Sequence, residues 1–351
     1  MPPADMVRIP YKALDDFTHD VLHRLGVSSA DAQTAVNVLS QANLRGVDTH
    51  GSDLFPAYVQ RIQSGMVNTS PKMKIIKESA ATVVIDADRA LGQISSRFGM
   101  QEAINKAVLS GIGWVNIINS NHHGALAYYA LMAAEQDLIG IVTTTTSACM
   151  APWGSREALV GNNPLAIAIP CNNHDPLILD MASSLFANGK VRLAKERGES
   201  LPDGLSIDAD GNPNSDPSNS AALLPMGDYK GSGLAMMLGF LAGGLAGQPF
   251  TGYGKSNKEG KESSELSHLM IAVNIDNFTD LEEFKDSVDE VIDSWKNSEP
   301  RPGFDEVFVP GEIEWRRVPD REENGIPLNA SLVAEMKRIG DEVEVEFPSA
   351  I

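Results

Sequence analysis

Cysteine is scarce in this chain of 351 residues: only Cys149 and Cys171 occur, and they do not form a Cys-x-x-Cys pair. This scarcity argues against a disulfide framework and a thiolate-ligated structural zinc site, and it favours a reducing cytoplasm. Basic residues are also in deficit, with 28 Lys and Arg against 47 Asp and Glu. The formal net charge of -19 makes the whole molecule repel nucleic acid and anionic membranes. An anionic ligand must therefore be bound by local donors.

Long apolar runs are missing as well. The most apolar stretch, residues 234–245, is rich in glycine and shorter than the roughly 20 residues that a membrane-spanning helix needs. The N-terminus has Pro2, Pro3 and Asp5 in place of the apolar region of a signal peptide. With 42% hydrophobic and 21% charged residues, the composition is typical of a folded globular protein, and the length predicts two or three substructures.

Three common catalytic and nucleotide-binding signatures are absent from the sequence. No Gly-x-Gly-x-x-Gly follows a predicted strand, no Gly-x-x-x-x-Gly-Lys-Ser/Thr occurs, and there is no Gly-x-Ser-x-Gly. These absences leave a Rossmann cradle, a phosphate-binding P-loop and a serine nucleophile elbow without support.

The spacing of apolar residues predicts an N-terminal region built of helices. Ser28 and Asp31 have the spacing of a capping box, which predicts that a helix begins there and continues to about Gly46. Helical spacing also marks residues 11–25 and 58–65. We therefore expect three helices in this region, each followed by a glycine.

Beyond Pro71 the pattern changes to short apolar strands that alternate with helices, which predicts an α/β fold. Segments 74–77 and 82–86 form a predicted hairpin, so local antiparallel pairing is expected. Residues 198–220 predict a long polar loop, and residues 252–265 predict a mobile polar segment.

Four polar residues at predicted turns and strand ends form a candidate site: His50, His122, Asp180 and Lys230. Together they supply an acid/base, a second donor, a charge partner and a cation for an anionic ligand, and Gly51 lets the backbone beside His50 approach a ligand. Structural alternatives exist. His50 can be a helix-end histidine bonded to a carbonyl, Asp180 can cap a helix that begins near Ser183, and Lys230 can be a solvated surface residue.

Six motifs occur in the order found in the type 2 malate/L-lactate dehydrogenase family, and the chain resembles that family from about residue 10 to 320. The motifs are Arg45-Gly46-Val47-Asp48-Thr49-His50-Gly51 with Tyr58, His122-x-Gly-Ala, Gly161-Asn162-Asn163-Pro164, Leu179-Asp180-Met181-Ala182, Leu224-Pro225 to Lys230-Gly231, and Pro310-Gly311-Glu312. The family also includes ureidoglycolate dehydrogenase, 2,3-diketo-L-gulonate reductase, sulfolactate dehydrogenase and piperideine-2-carboxylate reductases. Each motif is weak by itself, but six in one order make chance similarity a poor explanation.

The resemblance implies an α/β fold in which a large mixed, mainly antiparallel sheet with flanking helices binds a dinucleotide outside the Rossmann class. It also implies a small N-terminal helical domain at residues 1–70, joined by the C-terminal segment 300–351. The dinucleotide-binding domain then covers residues 71–300, with an inserted helical subdomain around 183–250. Homodimers with the active site near the subunit interface are expected by the same resemblance.

The activity that the resemblance implies is hydride transfer between NAD or NADP and a 2-oxo or 2-hydroxy acid, a related oxo-sugar acid or a cyclic imino acid. His50 is then the proton donor to the carbonyl oxygen, kept protonated near neutral pH by Asp180, and Thr49 supplies a hydroxyl where the family usually has Ser. His122 matches a second active-site histidine, and we interpret His123 as a structural or loop residue.

Two further sets of residues match ligand contacts of the family, and none of them implies a metal ion. The dinucleotide contacts are Thr146, Asp180, Met181, Ala182, Lys230, Gly311 and Glu312. The substrate contacts are Arg45, Leu54, Tyr58 and Asn163. For Thr146, a plain β-branched strand residue is an equal alternative.

Leu54 is the main departure from the family pattern, which usually has an arginine four residues after the histidine. Leucine cannot replace a bidentate guanidinium on a carboxylate, so malate and lactate are poor candidate substrates. Either another cation binds the acid or the substrate is of another kind. Two alternatives remain open: a catalytically inactive binding homologue, and a metal hydrolase built on His122, His123 and Asp180, which the adjacency of the two histidines disfavours.

Overall fold

The computed structural model describes residues 6–249 and 266–351. The strands in these residues are β1 (Met6–Ile9), β2 (Lys74–Glu78), β3 (Thr82–Asp86), β4 (Ile112–Ser120), β5 (Leu138–Thr144), β6 (Leu165–Ile169), β7 (Leu177–Met181), β8 (Ser206–Ile207), β9 (Pro213–Asn214), β10 (Ala222–Leu223), β11 (Leu266–Asn274) and β12 (Ile326–Asn329). The α-helices are α1 (Tyr11–Arg24), α2 (Ser29–Leu44), α3 (Phe55–Gln63), α4 (Gly92–Ser110), α5 (Ala127–Ala134), α6 (Asn188–Arg197), α7 (Tyr229–Ala242), α8 (Leu281–Lys296), α9 (Glu312–Trp315), α10 (Val318–Asn324) and α11 (Ala330–Glu342). The polar segment 252–265 and the first five residues, for which predictions were made above, lie outside the described residues.

A seven-stranded sheet forms the centre of the fold, in the order β2-β3-β4-β11-β5-β6-β7. The β3–β4 pair is parallel, and the other neighbouring pairs are antiparallel. Helices α4 and α5 pack on the sheet through a buried core that includes Met100, Tyr129 and Ile117. The expected mixed, mainly antiparallel sheet with flanking helices is confirmed.

The N-terminal helices begin and end close to the predicted residues. Ser28 caps α2 by accepting a hydrogen bond from the backbone N–H of Asp31 at 3.2 Å, which confirms the capping prediction. Gly26 and Gly65 follow α1 and α3 with φ values of 91° and 73°, a left-handed conformation that favours glycine.

The two ends of the described chain pack together. β1 pairs antiparallel with β12, so that Val7 lies opposite Leu328. Helices α1, α2 and α3 share a buried core with α11 that includes Phe17, Phe55 and Met336. The C-terminal helices therefore support the helical region that carries His50, while the division of the chain near residues 70 and 300 stays a prediction.

The region between α6 and α7 contains a second, three-stranded sheet in the order β10-β8-β9. Asp208 closes the β8–β9 turn by accepting hydrogen bonds from the backbone N–H groups of Asp210 and Asn212. The long polar loop predicted for residues 198–220 therefore contains the strands β8 and β9, and the inserted subdomain that was expected to be helical contains this small sheet as well as helices. Strands of two residues are too short to leave an alternating pattern in the sequence.

Helix α7 carries the glycine-rich apolar run. Among residues 6–249 and 266–351, none of the helices combines the length and apolarity that crossing a bilayer requires. Tyr229 and Met237 on this helix, and Leu245 just after it, are nevertheless exposed by 62%, 55% and 64%. An apolar surface of this kind suits contact with another protein surface.

Candidate active site

A cavity of about 800 Å³ brings together segments that are far apart in the sequence. Its wall is formed by the turn after α2, the loop before α5, the segment after β5, the end of β7 and the segment around the start of α9. Residues from five of the six sequence motifs line it; the motif that ends in Lys230-Gly231 is the exception. We therefore take this cavity as the candidate active site.

His50 lies on a short 3-10 helix, Asp48–His50, which is separated from the end of α2 by three residues. Arg321 of α10 holds this turn in place. Its guanidinium donates to both carboxylate oxygens of Asp48 and, at 2.7 Å, to the carbonyl oxygen of Asn43. The position of His50 thus depends on a charge-assisted contact with the C-terminal part of the chain.

Gly51 has a different role from the one expected. A Cβ atom at this position would lie 2.0 Å from Oδ1 of Asn43. Asn43 is fixed in that space, because it accepts a hydrogen bond from the backbone N–H of Ser52 and donates one to the Ser52 hydroxyl. The prediction that Gly51 admits a ligand is therefore wrong: the glycine makes room for Asn43, which stabilises the turn after His50.

The rings of His50 and His122 face each other with their centroids 6.0 Å apart. Nδ1 of His122 accepts a hydrogen bond from the backbone N–H of Gly124 at 3.2 Å and lies 2.7 Å from the Tyr58 hydroxyl. Because this nitrogen is an acceptor, the Tyr58 hydroxyl donates to it and the proton of the neutral ring is on Nε2. Nδ1 of His50 lies 3.1 Å from the Thr49 hydroxyl.

Both facing histidines favour the neutral form. Burial lowers the pKa of His50, and it lowers the pKa of His122 to about 3, with a further lowering by the positive charges of His50 and Arg61. Within the described residues, the hydrogen-bond partner of His50 is Thr49 and not Asp180. The expectation that Asp180 keeps His50 protonated is therefore wrong in this structure, because the Asp180 carboxylate is directed to another helix.

Asp180 holds the start of α5. Its carboxylate accepts a hydrogen bond from the backbone N–H of Ala127 at 2.9 Å, at the first residue of that helix. The alternative that it caps a helix near Ser183 is wrong, since the next helix begins at Asn188. Solvent reaches the carboxyl through the cavity, yet the surrounding protein raises its pKa to about 6, against the lowering effects of the Ala127 hydrogen bond and of the Arg45 charge.

Arg45 forms part of the buried wall of the cavity. Its side chain is 3% exposed, and its guanidinium lies 4.3 Å from the centre of the Trp315 ring. Burial lowers its pKa, while the negative charges of Glu314 and Asp180 raise it. Nη1 of Arg45 is buried and has no hydrogen-bond partner within the described residues. A buried N–H without a partner is a group that an oxygen of a ligand can satisfy.

The residues predicted to contact the dinucleotide divide into two groups. Those that line the cavity are Thr146, Asp180, Met181, Ala182 and Gly311. The structure does not bring Lys230 and Glu312 to this wall. Lys230 is exposed on α7, and Glu312 pairs with Lys296 at 2.6 Å and with Arg316. Their contact with a cofactor stays a prediction that the placement does not favour.

Of the predicted substrate contacts, Leu54 and Arg45 line the cavity, whereas Asn163 and Tyr58 do not: Tyr58 contacts His122 instead, and Asn163 belongs to the framework. Asn163 is fully buried, accepts a hydrogen bond from the backbone N–H of Thr146 at 3.0 Å and donates one to the carbonyl of Ala235 at 2.8 Å. This placement corrects the prediction of a direct substrate contact by Asn163. Thr146, which Asn163 holds, lies after the end of β5 and is therefore no ordinary strand residue.

Two features of the site were not predicted from the sequence. Arg61 lines the cavity three residues after Tyr58 on α3. This spacing places both side chains on one side of a helix, so the sequence could have predicted that Arg61 lies near the site. His123 stacks on His268 at 4.1 Å, and burial lowers the pKa of both rings, that of His268 to about 3. No local pattern connects these two histidines, because they are distant in the sequence.

The geometry also bears on the metal-hydrolase alternative. The rings of His122 and His123 are inclined by 80°, and Nδ1 of His123 lies 2.9 Å from the Ser96 hydroxyl. In the part of the chain that the structure describes, no group of three His, Cys, Asp or Glu side chains is arranged to hold a metal ion. This arrangement argues against a shared metal at His122, His123 and Asp180.

The chain is similar to known dehydrogenases along nearly its whole length. The model of the malate/L-lactate dehydrogenase family matches residues 9–337. L-sulfolactate dehydrogenase of Methanocaldococcus jannaschii is 40% identical over 337 residues, which cover 95% of this chain and 96% of that protein. Malate dehydrogenase of Pyrococcus horikoshii is 37% identical over 350 residues, covering 97% and 96%. The crystal structure of malate dehydrogenase from Entamoeba histolytica matches with a TM-score of 0.94 at 30% identity, over 98% of this chain and 100% of that one. The chain therefore belongs to the malate/L-lactate dehydrogenase family of oxidoreductases.

Proposed function

We propose that this protein transfers a hydride between a nicotinamide cofactor, NAD or NADP, and a 2-oxo or 2-hydroxy acid, with a related oxo-sugar acid or cyclic imino acid in the same class. The observation that carries the proposal is the pair of facing histidines, His50 and His122, in a cavity lined by the family motifs. The relatives support the reaction class, since malate and sulfolactate are both 2-hydroxy acids.

The cavity suits a dinucleotide in size and in chemistry. Its volume lies within the range of about 300–1,000 Å³ that is typical of small-molecule sites. Nη1 of Arg45 and Nε2 of His123 are buried on its wall without a hydrogen-bond partner among the described residues. Lys190 and Lys195 of α6 add positive charge to the lining. When bound, the nicotinamide supplies the hydride acceptor or donor, and the residues proposed to hold the dinucleotide are Thr146, Met181, Ala182 and Gly311.

The chain itself supplies and removes the proton at the substrate oxygen. We propose His50 as the proton donor in the direction of reduction and His122, through its Nε2–H, as a second hydrogen-bond donor. Burial keeps both rings neutral, but the carboxylate of a bound acid favours their protonated form. Substrate binding thus prepares the donor. Asp180 contributes by fixing the start of α5, next to the loop that carries His122.

The substitution His50→Ala tests this assignment. We expect it to leave binding of NADH or NADPH intact and to lower the substrate-dependent oxidation of the cofactor by at least about 100-fold. Absorbance of the reduced nicotinamide is the measurement, and His174→Ala, at an exposed histidine, is the control. Turnover by the variant near the parent rate contradicts the role of His50.

The parent protein tests the reaction class. A panel of 2-oxo acids, oxo-sugar acids and cyclic imines is offered with each reduced cofactor, and at least one combination is expected to turn over. If the protein binds the cofactor and turns over none of them, the catalytically inactive homologue is the better description.

We also propose a homodimer, as the family resemblance implies. The exposed apolar side chains of α7, which include Met236 and Met237, form a surface that suits a second copy of the chain. A molar mass near the 37.7 kDa of one chain, measured by light scattering at micromolar concentration, contradicts this proposal. The cytoplasmic location stays a prediction.

A further inference from the structure

An anionic substrate needs a cation near His50 and His122, and the net charge of -19 supplies none at long range. Within the described residues, the cationic side chains that line the cavity are Arg45, Arg61, Lys190 and Lys195. Leu54 lines it too, but it is apolar and packs against the N-terminal core. The substrate carboxylate must therefore meet one of these four cations.

Three of these cations are poorly placed for that contact. Arg45 is buried, stacked on Trp315 and accompanied by acidic groups of the wall, and its unpaired Nη1 is assigned to the dinucleotide. Lys190 lies over the ring of Phe186, and Lys195 is an exposed residue of α6. Neither lysine is among the charges that shift the pKa of His50 or His122.

Arg61 differs in position and in freedom. It follows Tyr58 by three residues on α3, and Tyr58 is the hydrogen-bond partner of His122. Side chains of a helix lean toward its N-terminus, so the Arg61 side chain is directed back toward Tyr58. The positive charge of Arg61 lowers the pKa of His122, which places the guanidinium within electrostatic range of the ring. Within the described residues, this guanidinium forms no hydrogen bond or ion pair.

We propose that Arg61 binds the carboxylate of the substrate as a bidentate clamp beside the two histidines. The inference rests on the proposed function, because it assigns the carboxylate of a 2-oxo acid to the same cavity. It moves the anion-binding group about 10 Å along α3 from the position of Leu54. A substrate therefore presents its carboxylate to the last turn of α3 and meets an apolar surface at Leu54.

Steady-state kinetics of Arg61 variants test the inference. With the best acid of the substrate panel, Arg61→Ala is expected to raise KM roughly 10- to 100-fold and to change the dissociation constant of the cofactor little. Arg61→Lys keeps the charge without the planar guanidinium, so its KM should fall between those of the parent protein and Arg61→Ala. The matched control is Arg24→Ala, which removes an exposed arginine from α1. In the Arg61→Ala background, Leu54→Arg should recover part of the lost affinity, since it returns a guanidinium to the cavity wall.

A binding measurement separates this inference from the proposed function. Oxalate is titrated by calorimetry into the cofactor-loaded protein, so that no turnover is needed. Weaker oxalate binding by Arg61→Ala and Arg61→Gln, both folded by circular dichroism, supports the clamp even if the parent protein turns over no acid. Turnover by the parent together with unchanged KM and unchanged oxalate affinity in both variants overturns the role of Arg61 and leaves the proposed function standing.

Discussion

Tyr58 determines the state of His122 although it does not line the cavity. Its hydroxyl and the backbone N–H of Gly124 both donate a hydrogen bond to Nδ1 of that ring, so Nε2 carries the proton. Gly124 is at a φ of 80°, where other residues are strained, and this fixes the loop beside the ring. A buried hydroxyl can therefore influence proton chemistry without touching a substrate.

Tyr58→Phe tests this influence. Removing the hydroxyl leaves Nδ1 of His122 with the Gly124 hydrogen bond alone, so the ring is less firmly oriented. We expect kcat to fall about 2- to 10-fold, with cofactor affinity unchanged. The control is Tyr11→Phe, at the start of α1, which should leave kcat at the parent value. A parent-like kcat for Tyr58→Phe contradicts the argument.

Sequence reasoning at the scale of single residues succeeded where the chemistry is carried by side-chain type and failed where it depends on partners. His50 and His122 were selected as titratable groups on turns, and the structure places them face to face. The expected pairing of His50 with Asp180 was wrong, because the direction of a carboxylate depends on which helix start lies near it in space. Gly51 was misread for the same reason, since Asn43 fills the space beside it.

At the scale of elements, the turn after α2 is held by α10 through Arg321. This arginine is 8% exposed, and its contacts with Asp48 and with the Asn43 carbonyl join two parts of the chain that are far apart in sequence. The Asp48 side chain is 36% exposed, so solvent screens part of the charge interaction. Solvent cannot replace the hydrogen bond that the Asn43 carbonyl accepts from Arg321, because that bond is buried.

Arg321→Ala is expected to lower the free energy of unfolding by about 1–3 kcal/mol, because it leaves buried acceptors unpaired. It should also lower kcat, since the turn that carries His50 loses its support. Urea titration and the cofactor assay measure the two effects. Arg338→Ala removes an exposed pair with Glu342 on α11 and should cost at most about 0.5 kcal/mol. Equal losses of unfolding free energy in both variants contradict the role of α10 in positioning the turn.

Long periodic elements were predictable from sequence, and short ones were not. α2 has repeated apolar positions and a hydroxyl cap, so its bounds were close to the expected ones. The strands β8, β9 and β10 have two residues each and are held by side-chain turns such as that of Asp208. A pattern of period two needs more residues than these strands have.

At the scale of the whole molecule, the stacked pair of His123 and His268 makes stability depend on pH. Both rings are buried and their pKa values are lowered, that of His268 to about 3. In the unfolded chain a histidine binds a proton near pH 6.5. Between that pH and the folded pKa, the unfolded state binds more protons, so stability falls as the pH falls.

From pH 7 to pH 5, His268 is expected to remove about 2 kcal/mol of stability, and His123 acts in the same direction. Urea midpoints at the two pH values measure the loss. His268→Gln should reduce the difference between the midpoints, whereas His174→Gln, at an exposed histidine, should leave it unchanged. A difference that is the same in His268→Gln and the parent protein contradicts this account.

The overall architecture was predicted from the family resemblance more than from the periodicity of apolar residues. Alternating helices and strands predicted an α/β fold, but the position of β11 between β4 and β5 had no local signal. Its residues read as an apolar strand, and a strand pattern does not say which neighbours will pair with it. The same limit applies to the cavity, whose walls are joined only by the tertiary fold.

The central position of β11 has a consequence for biosynthesis. Until residues 266–274 have left the ribosome, β4 and β5 each have an unpaired edge, and the sheet that supports the cavity is incomplete. The turn that carries His50 gains its support later still, after Arg321 has been synthesised. A nascent chain therefore holds two open strand edges between the synthesis of β5 and that of β11, and protection by chaperones should matter more during synthesis than after release.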